Sequence, residues 1–202
     1  MEIVWEVLMK RICVLLVCML VASISVGENM PELVNNGIDA YQNGNYKVAF
    51  ELLTKAAKAG DVSAQANLGV AYFGSKNFLP DFTKAKYWLE KSIRGNSPQG
   101  AFNLGLLYEQ GKGEQSNIGK AIGLFELSAD RGYLPAQKEL GMLYMQGTLV
   151  KQDLIKAYKW YSLAALQNDN VASNMLVVLS KQMTKEQLSQ ANKLVQQFKP
   201  KK

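Results

Sequence analysis

A period of 36 residues runs through the chain and limits its fold more than any other feature. Leu68-Gly69, Leu104-Gly105 and Leu140-Gly141 fall one period apart, as do Tyr72, Tyr108 and Tyr144. Lys84-Ala85, Lys120-Ala121 and Lys156-Ala157 keep the same spacing, and Ala49 lies one period further upstream. A small position reads Ala64, Gly100, Ala136, Ala172, and a segment end reads Gly60, Asn96, Gly132, Asn168. So many columns in constant register are the signature of stacked supersecondary units, none of which buries its apolar face alone.

Each period carries helical spacing twice. Asp61 is placed to cap a helix with Ala64, Leu68 and Tyr72 on one face, and Gly74 and Pro80 interrupt it. Asp81 then caps a second helix with Phe82, Ala85, Trp88, Leu89 and Ile93, ending at Gly95. The second cap itself repeats as Asn45, Asp81, Asn117 and Asp153, all with a side-chain oxygen for exposed helical N–H groups. Gly69, Gly105 and Gly141 sit mid-helix, where glycine costs about 1 kcal/mol against alanine. Close helix–helix approach is the expected return. Small residues recur in the second helix at Ala56, Ser92, Ser128 and Ala164. Bulky ones recur at Leu52, Trp88, Leu124, Trp160 and at Leu53, Leu89, Phe125, Tyr161. Small against large is how stacked hairpins interdigitate.

The pattern Ala-x-x-x-Leu-Gly-x-x-Tyr, a glycine-containing turn, then Asp-x-x-Lys-Ala-x-x-Trp-Tyr-x-x-Ala-Ala resembles the Sel1-like repeat, a relative of the tetratricopeptide repeat. Its best copy runs through Ala136, Leu140-Gly141, Tyr144, Gly147, Asp153, Lys156-Ala157, Trp160-Tyr161 and Ala164-Ala165. The resemblance implies an all-α fold, an α-solenoid (right-handed superhelix) of about four to five stacked helix-turn-helix repeats. Residues 28–61 read as a tetratricopeptide-like first unit, because Tyr41 to Tyr46 joins its helices by a short turn. Residues 62–169 read as three Sel1-like repeats, and 170–202 as a capping unit with a basic end. In that unit Val177 stands where glycine is expected, and a polar helix starts near Thr184.

Upstream, Lys10-Arg11 precedes the apolar stretch Ile12 to Ile24, with small residues before a cut after Gly27. Residues 1–27 therefore read as a signal peptide, with Met9 a better start than Met1; an uncleaved anchor is the other reading. Periplasmic or secreted localisation follows, with no stable membrane insertion after signal removal. Both cysteines, Cys13 and Cys18, belong to this leader, so the remaining chain needs no disulfide.

The chain has no histidine, which removes imidazole bases and histidine metal ligands. No Gly-x-x-x-x-Gly-Lys-[Ser/Thr] or Gly-x-Ser-x-Gly occurs, and acids scatter over the helix caps. The expectation is a non-enzyme with no cofactor, metal or catalytic residue. The net charge of +6 spreads along the array, so no nucleic-acid partner is expected. What the resemblance implies instead is a scaffold or adaptor that binds a protein or peptide on its concave surface, with an envelope or host protein as the candidate partner. An envelope enzyme, or a regulator of one, acting on cell-wall material is the alternative. Outward positions of the first helices give the groove candidates: Asn67, Val70 and Phe73; Phe102, Asn103 and Leu106; Lys138, Met142 and Met145. Methionine and aromatics suit an adaptable peptide site, while packing between successive helices explains the same residues equally simply. The tyrosine column reads as core, and the lysine column as solvated surface.

Overall fold

The computed structural model describes residues 29–74, 80–113 and 115–201. The expected leader, with its cut near Gly27, lies outside the described residues. Ten helices follow in chain order among those described: α1 Met30–Gln42, α2 Tyr46–Lys58, α3 Val62–Gly74, α4 Phe82–Arg94, α5 Pro98–Gln110, α6 Ile118–Asp130, α7 Leu134–Gln146, α8 Leu154–Ala165, α9 Asn170–Ser180 and α10 Lys185–Gln196. Helices α1–α2, α3–α4, α5–α6 and α7–α8 form hairpins, and each second helix packs on the first helix of the next hairpin. The architecture is the expected all-α solenoid.

The repeat columns have local causes. Asp81, Asn117 and Asp153 each accept the N–H of the residue three places on, at 2.9, 2.9 and 3.0 Å. Their own N–H groups donate back to the carbonyls of Tyr72, Tyr108 and Tyr144, which fixes the span of each turn. Asn45 departs from the expectation: its side chain makes no capping bond. The tight Asn43-Gly44 turn leaves it at φ −84°, ψ 63°, away from the φ of −110° to −147° held by the other three. The segment-end column alternates glycine and asparagine because all four positions are left-handed, with φ of 102°, 66°, 83° and 64° at Gly60, Asn96, Gly132 and Asn168. Those two residue types enter that region at least cost.

The helical glycines seat the partner helix. A Cβ on Gly105 would lie 2.5 Å from the Phe125 ring, and one on Gly69 would lie 2.6 Å from Leu89. The first hairpin does the same with Gly37, where a Cβ would meet Leu53 at 2.9 Å. Its turn is shorter, so this glycine falls outside the regular register. Leu53, Leu89, Phe125 and Tyr161 are consequently buried, as are Trp88 and Trp160.

The last unit breaks the pattern. Thr184 caps α10 in a reciprocal capping box with Gln187. Yet α10 packs across α8 instead of closing a hairpin on α9. Ala191 is buried there, and Leu188, Val195 and Phe198 pack against the core of the third and fourth repeats. Lys201 continues the path: its N–H donates to the Asp130 carbonyl at 2.8 Å, and its ammonium sits 2.7 Å from the Asp130 carboxylate.

Candidate protein-binding surface

The first helices α1, α3 and α5 lie side by side, so their outward residues form a stripe that crosses repeats. All nine candidate residues on α3, α5 and α7 are half-buried. Several already have partners from another helix. Phe102 lies 5.5 Å, centroid to centroid, from both Phe125 and Tyr133. Phe73 meets the Phe82 ring at 6.4 Å and carries the Lys112 ammonium 4.9 Å from its centroid. Leu106 and Met145 pack against the core of the later repeats.

Two of the polar candidates, Asn67 and Lys138, tie one repeat to the next, while Asn103 bonds within its own helix. Asn67 donates to the Ser63 carbonyl at 3.0 Å and accepts from the Gln99 side chain at 3.1 Å. Asn103 donates to the Gln99 carbonyl at 2.9 Å. Lys138 reaches the α9 cap Asp169 at 2.8 Å. That ammonium, followed by the N–H of Ala172, holds the Asp169 carboxyl below the usual range. Val70 and Met142 have no such cross-link among the polar and ring contacts, and they give the stripe its adaptable apolar surface.

Two carboxylates lie on the same first helices. Glu109 ends α5, and Glu139 takes the place that Asn67 and Asn103 hold in earlier repeats. Burial raises both carboxyls, and the charge of Glu109 raises Glu139 further. A cation laid between them would relieve that cost. The asparagine column pointed to this place; the contribution of Glu109 depends on how α5 and α7 stack, which no single-helix pattern reveals.

The lysine column does more than solvate a surface. Lys84, Lys120 and Lys156 place their ammonium groups 5.4, 4.9 and 4.8 Å from the ring centroids of Tyr72, Tyr108 and Tyr144. The sequence signal was present, since both columns share one register. Tyr144 is buried as expected, whereas Tyr72 and Tyr108 are half-buried. Tyr144 donates to Glu126 at 3.1 Å, and burial followed by that carboxylate's charge pushes the phenol up to about 12. Among the described residues no three His, Cys, Asp or Glu side chains gather as a metal site, and no helix is long and apolar enough to cross a membrane.

Known proteins share this arrangement. The chain is similar to the protective antigen c5321 of uropathogenic Escherichia coli, at 33% identity and a TM-score of 0.67, over 75% of this chain and 32% of that one. It is similar to a Sel1 repeat protein from Oxalobacter formigenes at 26% identity and a TM-score of 0.61, over 71% and 59% of the two chains. DAP3-binding cell death enhancer 1 of Rattus norvegicus is 40% identical over 87 residues, which is 43% of this chain and 17% of the relative. The chain thus aligns with under a fifth of the length of that curated relative. The Sel1 repeat model matches residues 32–61, 62–97, 98–133 and 134–169. These matches span most of the chain, including its shorter first hairpin, and the chain belongs to the Sel1 repeat family.

Proposed function

We propose that this chain is an exported, non-catalytic scaffold that holds a partner protein along its first-helix stripe. The observation that carries the reading is the recurrence of half-buried residues at equivalent positions of α3, α5 and α7, with Val70 and Met142 one turn from the polar column of Asn67, Asn103 and Glu139. Asparagine side chains at repeat spacing suit an extended backbone, and the paired Glu109 and Glu139 favour a basic side chain on the partner. The name of the Rattus norvegicus relative records a protein partner, which supports binding as the task of such an array. Export rests on residues 1–27, whose basic pair, apolar core and small residues before Gly27 fit a cleaved leader.

Affinity capture from envelope extract and from host lysate tests the reading. A stoichiometric protein is expected, lost in an Asn103→Ala, Met142→Ala double variant and weakened by Glu139→Lys. Phe102 is a poor probe, because truncating it opens the contact with Phe125 and Tyr133. Retention of the partner by the folded double variant would remove the stripe as its site. Mass analysis of the chain from a periplasmic fraction should begin at Glu28; an intact Met1 or Met9 there would overturn cleavage.

A further inference from the structure

The two ends of the array differ in what they offer to solvent. At one end the exposed positions of α1 include Glu32, Asn35, Asn36 and Asp39, a polar face of the kind that keeps a solenoid end soluble. At the other end α9 runs from Asn170 to Ser180 without one charged residue. Its exposed positions include Val171, Val177 and Val178, at 53, 56 and 41%.

The repeat register shows where this face points. Asn174 follows Phe102 and Lys138 in one column, and both of those reach the next unit, Phe102 at Tyr133 and Lys138 at Asp169. Val178 follows Leu106 and Met142, and Leu106 packs on the core of the later repeats. Beyond α9 the chain crosses to α8, so among the described residues no further hairpin covers these positions. Val171, Asn174 and Val178 are three and four residues apart, which puts them on one side of the helix.

Polarity and charge select the occupant. An apolar patch gains most by meeting another apolar patch, and α1 offers none, so the C-terminal end is left to meet its own copy. Around a two-fold axis the central residues face themselves, and a charge there would meet a like charge. The chain carries +6, yet none of it lies on α9. Lys181 sets the direction, because it is exposed and stands seven residues after Asn174 on the same side. A parallel pair would bring two Lys181 ammonium groups together, whereas an antiparallel pair sends them to opposite ends. First helices already lie side by side in this fold, as α3 does with α5.

We propose that the outer face of α9 pairs two copies of this chain, antiparallel about a two-fold axis near Asn174. Val171 of each copy meets Val178 of the other, Val177 packs at the margin, and the two Asn174 amides hydrogen-bond across the axis. Three valines and one asparagine per copy make an interface smaller than the roughly 800 Å² per partner of a stable complex, so the dimer is transient. The pairing goes beyond the scaffold reading and does not depend on it.

Sedimentation equilibrium of the full chain tests the pairing, with a monomer–dimer midpoint expected on the order of 100 µM. Val178→Lys should weaken association by about tenfold or more and leave the circular dichroism spectrum and melting temperature unchanged, since that side chain is 41% exposed. Mixing Val178→Lys with Val171→Glu should restore the dimer, because antiparallel pairing sets the new charges against each other. Mixing Val178→Lys with Val178→Glu should not. The Asn103→Ala, Met142→Ala variant should associate as the wild type does, which separates this face from the first-helix stripe. A chain that stays monomeric at several times that concentration overturns the proposal, and if α9 is then shielded from a soluble spin label, another segment of the chain is its cover. Growth beyond a dimer, undiminished association of folded Val178→Lys, or loss of association in the stripe variant would each overturn it as well.

Discussion

Gly105 and Val177 occupy one column of the repeat, two periods apart, under opposite constraints. At Gly105 the Phe125 ring fills the space a Cβ would need. At Val177 no second helix has landed, and the side chain is 56% exposed. The whole outer side of α9 shares this condition, with Val171 and Val178 also open. The column is therefore a property of the hairpin and not of the helix: glycine is needed only where a second helix closes on the first. Where α10 swings away to α8, an ordinary β-branched residue replaces it.

The contrast is broken most directly at its two defining residues. Gly105→Val should cost about 3 kcal/mol, because the new branch must displace Phe125 from a closed core. Chemical denaturation reads that loss, and a cost below 1 kcal/mol would mean that the hairpin opens freely. Phe198→Ala should cost about 2 kcal/mol by removing the ring that contacts Trp160 at 6.2 Å and shares the Lys159 ammonium. A wild-type melting curve for that variant would show that the terminal segment adds nothing. Asp153→Ala should cost about 1 kcal/mol, whereas Asn45→Ala should be close to neutral, since only the first makes a capping bond. Equal costs at the two caps would contradict the geometry.

Smaller effects test the ring ladder and the open end. Tyr144 has a raised pKa, so its stabilisation is complete below its ordinary value of 10 and is lost as pH climbs through about 12. Tyr144→Phe should lose about 1 kcal/mol at neutral pH and show a shallower decline in urea stability at high pH. An unchanged alkaline slope would place the titration elsewhere. Val177→Gly, the mirror of the first substitution, should cost about 0.5 kcal/mol, little more than the helix-propensity difference. A large loss there would mean that α9 is covered in solution.

The hairpins were legible in the sequence because their constraints are local and repeated. Caps, left-handed ends and helical glycines each recur with a side chain that only that backbone site demands. Gly37 escaped because its turn is shorter, although the buried Leu53 it faces keeps the register of Leu89 and Phe125. The lysine–tyrosine contacts were written in two columns but required a turn to bring them together. The stripe was legible as residues and not as a site: helix position gives outward direction, while partners such as Gln99 for Asn67 or Asp169 for Lys138 depend on stacking. The course of α10 left no periodic signal, because its contacts with α8 occur once.

The Lys201–Asp130 strap has a consequence for how the molecule assembles. Elsewhere each hairpin meets neighbours about one period away, but these two residues are separated by roughly two periods of chain. Closing so long a loop carries an entropic cost that the local hairpins do not bear. During synthesis the early hairpins can form while the strap is still missing. Once closed, it ties the third repeat to the terminal segment, so the opening of these two regions is expected to be coupled.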